Sequence, residues 1–396
     1  MSLKQTARII STYAGDTSGV CSALFELGGM TVMHDASGCN STYNTHDEPR
    51  WYDTDSLVFI SALSETEAIL GDDEKLIEDT VRAVRDLSPA FAAIAGTPIP
   101  MMTGVDFPAV ARRIEEACGI PAFGFDTDGM HSYTAGASKA FAALARRMVR
   151  EPEKKTDGLS VNLLGLTPLD FSVTGTERTM KRILEGAGVS VVSSWAMGST
   201  LDEIADSAKA RVNLVISSSG LGAAKVLRER FGIPFVVGTP AGPAFNGEIL
   251  DALRLAAADG EDRILPVCDP GAKCLVIGEG VTAASLAHAL TLETGIPARA
   301  VSATDGFPEL DAMRVPQATD EDDLIPLLDG ADTVIADPLY RPIVPPGVRF
   351  VSLPHEGFSG RIWREEIPDL AADLSGFLEK NGLGRSQQTT IRKEHP

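Results

Sequence analysis

The feature that most constrains the fold of this chain is a regular alternation of short apolar segments with helical patterns. Segments such as "LVFISAL" (57–63) and "FAAIAG" (91–96) are each followed by a stretch with apolar residues at helical spacing, for example "EKLIEDTVRAVRDL". This alternation is typical of βαβ units, in which crossover helices join parallel strands. It predicts an α/β fold with mostly parallel sheets.

The same strand-turn-helix order appears three times along 396 residues, a length that favours several domains over one core. The charged stretch "REPEKKTDG" (150–158) and the polar stretch "AADGEDR" (257–263) separate the three units. These breaks predict an N-terminal α/β domain over 1–152, a second Rossmann-like domain over 158–260 and a third over 264–380. A polar tail over 383–396 has no periodic pattern and is expected to be loosely attached.

The charge, the apolar runs and the cysteine content of the chain exclude several classes of protein. With 35 basic and 55 acidic residues, the net charge of −20 argues against a nucleic-acid backbone or an anionic membrane surface as partner. The N-terminus lacks the apolar core of a signal peptide, and no run reaches the ~18 apolar residues of a membrane span. Five cysteines are too few and too irregularly spaced for a disulfide scaffold. These features predict a cytoplasmic protein in a reducing compartment.

Two of the cysteines stand near the start of consecutive elements, Cys21 in "CSALFEL" and Cys39 in the turn "HDASGCNSTYN". One reading is that both are small buried hydrophobic residues. The other is that both lie at helix N-termini, where the helix dipole lowers a thiol pKa and favours metal binding. Two thiolates are half of what a 4Fe-4S cluster or a tetrahedral zinc site needs, and a symmetric dimer would supply four.

Several motifs together resemble the nitrogenase component 1 family, which includes the light-independent protochlorophyllide reductase and the nickel-sirohydrochlorin reductive cyclase. The family's "H-G-P-x-G-C" is similar to "HDASGC" (34–39), and its "T-E-x-D-x-V-F-G-G-x-x-K-L" is similar to "SETEAILGDDEKL" (64–76). Further matches are "RTMKRILEGAGVSV" (178–191), "FGIPFVVGTPAGP" (231–243) and "LPHEGFSGRIW" (353–363). The resemblance covers most of residues 15–365.

The resemblance implies three Rossmann-like domains around a central cleft, with an iron-sulfur cluster at a subunit interface. Cys21 and Cys39 fall on the first two cluster-ligand positions, whereas Thr97 stands where nitrogenase has a third cysteine. This implies a simple 4Fe-4S cluster shared across a homodimer. The chain has no G-x-x-x-x-G-K-[ST] motif, so a separate P-loop iron-sulfur reductase similar to nitrogenase component 2 would have to drive electron transfer.

The second domain departs from nitrogenase. Ser217, Ser218 and Ser219 occupy the turn in which nitrogenase anchors its metal cofactor through a cysteine, and His355 is a displaced counterpart of its histidine anchor. Reduction of dinitrogen is therefore not expected, and the serines favour a tetrapyrrole or another organic ligand. Gly220, Thr174 and Gly175 belong to turns at helix entrances that could hold a carboxylate or phosphate, or that could simply cap their helices; we take them, with the serines, as candidate pocket residues.

Three histidines are candidate proton donors. His355 lies in the C-terminal motif, His131 ends a strand at a helix start, and His46 lies in an irregular aromatic loop that could be a lid or a dimer contact. "GEGVTA" (278–283) fits G-x-G-x-x-A, but no acid follows the next strand, so no NAD is expected.

Three hypotheses follow. The first is a nitrogenase-like oxidoreductase component that accepts electrons through an intersubunit 4Fe-4S cluster and reduces a small-molecule substrate. The second is a non-catalytic scaffold for maturation of a metallocluster or tetrapyrrole. The third is an iron-free ligand-binding module in which both cysteines are merely packed.

Overall fold

The computed structural model describes residues 7–10, 12–36, 43 and 48–384. The predictions made for Cys39, for His46 and for most of the C-terminal tail (385–396) therefore lie outside the described residues. The domain boundaries drawn from the sequence stay predictions.

The first domain is built on a four-stranded parallel sheet in the order β2-β1-β3-β4. Met30 at the start of the central strand pairs with both Leu57 and Ala92, which fixes the register of its neighbours. Its strands are β1 (Met30–Met33), β2 (Leu57–Ile60), β3 (Ala92–Ala95) and β4 (Ala122–Phe125). Its helices are α1 (Asp16–Leu24), α2 (Glu65–Leu70), α3 (Glu74–Leu87), α4 (Pro98–Thr103), α5 (Phe107–Cys118) and α6 (Tyr133–Arg147).

The second domain has a five-stranded parallel sheet in the order β6-β5-β7-β8-β9. Its strands are β5 (Ser160–Leu164), β6 (Ser190–Trp195), β7 (Val212–Val215), β8 (Phe235–Val237) and β9 (Arg263–Ile264). Its helices are α7 (Pro168–Phe171), α8 (Thr176–Gly186), α9 (Leu201–Ala205), α10 (Leu221–Phe231) and α11 (Pro243–Asp259).

The third domain repeats the plan with the order β11-β10-β12-β13, again all parallel. Its strands are β10 (Cys274–Gly278), β11 (Ala298–Ser302), β12 (Thr333–Ala336) and β13 (Arg349–Ser352). Its helices are α12 (Gly280–Thr294), α13 (Glu309–Met313), α14 (Glu321–Leu327), α15 (Glu356–Ser359) and α16 (Leu370–Lys380). The α/β fold with three parallel-sheet domains is confirmed.

Helix α11 is the main element that the sequence interpretation missed. Its buried residues Phe245, Ile249, Leu253 and Ala256 recur at helical spacing. The stretch 257–263, interpreted as a polar break, forms the last turn of this helix, a short connection and the first residue of β9. The exposed end of a helix and an edge strand are both polar, which makes them resemble a linker in the sequence.

Helices α1 and α6 cross in direct backbone contact. A Cβ atom at Gly19 would overlap the carbonyl oxygen of Tyr133, and one at Gly136 would overlap the carbonyl oxygen of Asp16. Only glycine allows this approach. The crossing fixes α1, which carries Cys21, against the helix that carries Tyr133.

The largest hydrophobic core extends from α1 and α6 through the second sheet to α12 and α16. No helix in the described part of the chain combines the length and apolar composition needed to cross a bilayer.

Candidate functional site

The candidate cluster ligand Cys21 lies in the second turn of α1, because the helix begins at Asp16 with Gly15 as its N-cap. The expectation that Cys21 lies at a helix N-terminus was therefore wrong, and the helix dipole gives its thiolate little stabilisation. Burial, and then the nearby Glu48 carboxylate, raise the pKa of the Cys21 thiol. The thiol is neutral at pH 7 unless it binds a metal.

The surroundings of Cys21 are apolar. Its side chain is completely buried in a cluster with Phe25, Met33, Tyr43 and Val58, and it forms no disulfide. Met33 ends β1, so this cluster lies at the carboxyl edge of the first sheet. Iron could reach this sulfur only after side chains of the cluster move.

A buried charged network borders this cluster. The Arg50 Nε donates to Glu48 Oε1 at 2.6 Å and Nη1 donates to Glu26 Oε1 at 2.9 Å, while Nη2 donates to the Ser22 carbonyl oxygen at 2.7 Å. The second carboxylate oxygen of Glu26 accepts from the Gly198 N–H of the second domain at 2.8 Å. Arg50 therefore joins the segment that begins at Glu48 to α1. Glu26, which follows α1, joins the first domain to the second.

Thr97, which the resemblance to nitrogenase places at the position of a third cysteine, is buried and its hydroxyl is hydrogen-bonded. Its Oγ1 donates to the carbonyl oxygen of His34 at 2.8 Å and contacts Asp35 Oδ1 at 3.2 Å. The His34 Nδ1 is 2.8 Å from Ser61 Oγ, and burial lowers the pKa of His34 to about 4. Both residues stabilise the turn that follows β1.

The other three cysteines of the described residues belong to different parts of the core from Cys21. Cys118 ends α5 and is half-buried, while Cys268 and Cys274 are buried in the largest core. Burial raises the pKa of each of these three thiols. Their positions support a structural role.

A central cavity of about 90 Å³ lies between the second and third domains. It is bounded by α7, α8, the segment after β8, the end of β10, α12 and the segment 353–355. The carboxyl ends of several parallel strands meet there, which is where ligands bind in doubly wound sheets. Most of its wall is apolar, including Phe171, Met180, Leu286 and Phe358.

Asp170, at the end of α7, is the one carboxylate among the described residues that line the cavity. Oδ1 accepts from the Tyr133 hydroxyl at 2.7 Å, and Oδ2 accepts from Ser217 Oγ at 2.7 Å, Thr167 Oγ1 at 2.9 Å and Ser219 Oγ at 3.2 Å. Burial, followed by the negative charge of Glu279, raises the pKa of Asp170 to about 7. The sequence interpretation had not singled out this residue.

The predicted pocket serines lie behind the cavity wall. Ser217, Ser218 and Ser219 are fully buried, and two of their hydroxyls are bonded to Asp170. Gly220 allows close packing, because a Cβ there would overlap the backbone of Leu164. These residues shape the site through Asp170 and do not themselves line the cavity.

His355 does line the cavity, as the N-cap residue of α15. Its Nδ1 accepts from the Gly357 N–H at 3.2 Å, so the neutral ring carries its proton on Nε2. This Nε2 is buried and has no hydrogen-bond partner among the described residues. Burial lowers the pKa of His355 to about 3.

The structure does not bring the other candidate residues to the cavity. His131 is exposed at the edge of the first domain, with Nδ1 3.1 Å from Asp128 Oδ1, and this bond raises the pKa of His131. Thr174 is exposed and Gly175 is half-buried with a φ of 98°, both beside the cavity-lining Thr176.

The backbone N–H groups of the glycine-rich turn before α12 are already hydrogen-bonded within the chain. Glu279 caps this helix, with its carboxylate accepting from the N–H groups of Val281 at 3.1 Å, Thr282 at 3.0 Å and Ser218 at 3.0 Å. A dinucleotide pyrophosphate needs the free N–H groups of such a turn. Here a buried carboxylate already uses them.

Comparison with known proteins places these features in a family. The model of the nitrogenase component 1 type oxidoreductases matches residues 18–337. The chain is 26% identical over 196 residues, 48% of its length and 39% of the relative's, to the nitrogenase iron-molybdenum cofactor biosynthesis protein NifE of Sinorhizobium fredii. It is 38% identical over 105 residues, 26% of its length and 19% of the relative's, to one of the subunits of the light-independent protochlorophyllide reductase of Prosthecochloris aestuarii.

A third relative, the nitrogenase molybdenum-iron protein alpha chain of Azospirillum brasilense, is 25% identical over 269 residues, 64% of this chain and 54% of the relative. The chain thus spans about half the length, or less, of these curated relatives. The solved structure of nitrogenase Cp1 at pH 6.5 superposes with a TM-score of 0.69 at 16% identity, covering 97% of this chain and 94% of that one. The fold and the family model agree, and the chain belongs to the nitrogenase component 1 type oxidoreductase family.

Proposed function

We propose that this chain is a cytoplasmic, nitrogenase-like oxidoreductase component that reduces an organic substrate in the central cavity. Electrons would come from a separate ATP-dependent iron-sulfur reductase similar to nitrogenase component 2. The observation that carries the proposal is the cavity itself, whose mostly apolar lining includes the two ionisable residues His355 and Asp170. Where nitrogenase has a thiolate anchor, this chain has Ser217 and Ser219 bonded to Asp170 and Gly220 packed against the backbone of Leu164, which favours an organic ligand over a metal cofactor.

The chemistry of Cys21 and of the side chains around it suits a buried iron-sulfur cluster. The thiol is free, and an apolar shell of aromatic and aliphatic side chains surrounds it, as is usual for clusters whose reduction potential depends on burial. We propose that Cys21 and Cys39 of two identical chains hold one 4Fe-4S cluster, which would supply single-electron transfer. The surrounding residues Phe25, Met33 and Val58 would exclude water from it.

The reductase would dock on an exposed apolar surface near this site, here called the α2–α4 patch and formed by Ile69, Leu70, Met101 and Met102. The side chains of Ile69, Leu70 and Met102 are 74%, 72% and 87% exposed. The two helices pack against each other and follow β2 and β3, at the same sheet edge as the Cys21 cluster. Exposed apolar patches of this kind mark protein interaction sites.

Within the cavity, His355 would act as a neutral hydrogen-bond donor because its Nδ1 is already occupied. The cavity of about 90 Å³ is smaller than the ~300–1,000 Å³ of most small-molecule pockets. A tetrapyrrole could enter only if the second and third domains moved apart, whereas a small organic molecule needs less movement.

Electron uptake from the reductase tests the proposal without knowledge of the substrate. The chain, purified anaerobically and reconstituted with iron and sulfide, would be mixed with its pre-reduced cognate P-loop reductase and with ATP. We expect the reductase to be oxidised and the chain to gain an EPR signal only when ATP is present. A reductase that stays reduced with reconstituted chain and ATP would overturn the proposal.

A second candidate function is a scaffold for cofactor maturation, which the similarity to NifE favours. Continued electron flow on addition of protochlorophyllide, or of another organic acceptor, would select the catalyst. Binding of a preformed metallocluster beyond the intersubunit cluster, followed by its transfer to an apo-protein, would select the scaffold.

A further inference from the structure

We propose that Asp170 is the proton-exchanging group of the central cavity and the acid that gives a proton to an organic substrate bound there. Its role toward a substrate rests on the proposed function. Its ability to take up and release a proton does not, and it is this ability that the experiments below test.

Asp170 differs from the other buried carboxylates near the cavity in its hydrogen-bond partners. All four groups bonded to its carboxylate are hydroxyls, from Tyr133, Thr167, Ser217 and Ser219. A hydroxyl can donate to a carboxylate and, after rotation, accept from a protonated carboxyl group. The site can therefore satisfy both protonation states without any change in the backbone.

Two other buried carboxylates nearby are bonded differently. Glu279 accepts from three backbone N–H groups, which can only donate. Glu356 is paired with the Arg364 guanidinium, with Nε 2.9 Å from Oε2, and also accepts from Ser172 Oγ at 3.1 Å. Backbone N–H groups and a guanidinium can only donate, so they cannot accept a hydrogen bond from a protonated carboxyl group. Of the three carboxylates, only Asp170 is bonded to hydroxyls alone, which can donate to its ionised form and accept from its protonated form.

The charges around Asp170 favour proton exchange by its carboxyl group near neutral pH. Helices α1 and α15 pack against α7 and bring Asp16 and Cys21 on α1 and Glu356 on α15, with its N-cap residue His355, near Asp170. Tyr133 on α6 is bonded to Asp170, and the Glu279 carboxylate before α12 acts on it through its charge. His355 is neutral and Glu356 is paired with Arg364, and the charge that raises the pKa of Asp170 is that of Glu279. Burial and this charge raise the pKa of Asp170 to about 7.

Reduction of one substrate double bond takes two electrons, supplied by the iron-sulfur reductase, and two protons. The Asp170 O–H bond breaks as a new bond forms between its proton and the substrate atom, and the second proton comes from water. The carboxylate left behind is stabilised by its four hydroxyl donors until solvent protonates it again.

Infrared difference spectroscopy on the full chain tests this role. Between pH 5 and 8 the wild-type protein should lose a carboxylic acid band with a midpoint near pH 7. Asp170→Asn should remove this band, and Tyr133→Phe should move its midpoint upward, because the lost hydroxyl stabilised the ionised form. Asp337→Asn, which alters another buried carboxylate, should leave it in place.

The stability of the fold gives a second readout. The pKa of Asp170 is higher in the folded chain than its ordinary 3.8, so the folded state binds the proton more tightly and loses stability as pH rises from about 4 to 7. The Asp170→Asn variant lacks this titrating group and should not show this loss. The melting temperature of the variant minus that of the wild type should therefore increase by several degrees from pH 5 to pH 8. The inference is overturned if no carboxylic acid band between pH 5 and 8 depends on Asp170. That result would leave the electron-uptake experiment unaffected.

Discussion

At the scale of single residues, burial separates two histidines that the sequence had grouped as candidate proton donors. His131 is exposed beside Asp128, which stabilises its charged form, whereas His355 sits at the cavity with no acid bonded to its ring. The same type of side chain is thus a titrating surface group in one place and a neutral donor in the other.

Histidine NMR can check this difference. The pKa of about 3 means that the His355 ring stays neutral throughout the pH range 5–8, so its resonances should not shift over that range. His131 has a raised pKa because of its bond to Asp128, so its resonances should shift with pH, at a midpoint above that of an ordinary histidine, and it serves as the internal control. A His355 resonance that moves with a midpoint between pH 5 and 8 would contradict the burial argument.

His355 could be selected from its motif, but Asp170 could not. In "TPLDFS" the aspartate looks like an ordinary turn residue, and its bond to Thr167 is local. Its special character comes from Tyr133, Ser217 and Glu279, which are far apart in the sequence and meet only in the folded chain. The serine turn that the sequence singled out lies beside Asp170, but Ser217 and Ser219 bond to this acid instead of lining the cavity.

At the scale of elements, the position of Cys21 depends on the crossing of α1 over α6. The two helices approach so closely at Gly19 and Gly136 that any added methyl group meets backbone atoms, which cannot rotate away. The sequence shows both glycines but gives no sign that they face each other.

Gly136→Ala should therefore push α1 away from α6 and destabilise the chain by about 1–3 kcal/mol, as overpacking does. The matched control is Gly186→Ala at the end of α8, where an added Cβ meets nothing within 4 Å. Urea unfolding of both variants provides the comparison. Equal stability of the two would show that the crossing is not as tight as the structure has it.

The α2–α4 patch offers a test of docking. Leu70→Asp and Met102→Asp place charges on an exposed apolar surface, so the fold should be unaffected while electron uptake from the reductase falls at least tenfold. The control Leu255→Asp changes a side chain that is 55% exposed on α11 of the second domain. If Leu255→Asp lowered electron uptake as much as the patch variants did, the reductase would not dock on this patch.

At the scale of the whole molecule, the three sheets could be anticipated because each strand and crossover helix carries its own periodic pattern. The way in which the first and second domains join could not be anticipated, because it depends on contacts such as Glu26 with the Gly198 N–H and Arg50 with the Ala196 carbonyl oxygen. Glu48 and Arg50 lie in the loop "DEPRWYD", whose aromatic and charged composition marked it as unusual but did not identify its partners.

Loss of the Arg50 side chain should weaken this junction strongly. Arg50→Met leaves Glu48 buried without its counter-ion and should cost about 3–5 kcal/mol of unfolding free energy. Adding Glu48→Gln should recover part of the loss, because the unpaired charge is then removed. Arg113→Met, which breaks an exposed ion pair with Glu74, should change stability little. An Arg50→Met variant as stable as Arg113→Met would disprove the structural role of the network.

The central claim, that pairs of cysteines from two chains hold an iron-sulfur cluster, is tested most directly by iron and sulfide analysis of anaerobically reconstituted protein. We expect about four iron and four sulfide per two wild-type chains, as a 4Fe-4S cluster requires. Cys21→Ser and Cys39→Ser should lose the iron and the EPR signal of the reduced cluster, whereas Cys118→Ser at the end of α5 should retain both. Equal iron in the wild-type chain and all three variants would contradict the claim.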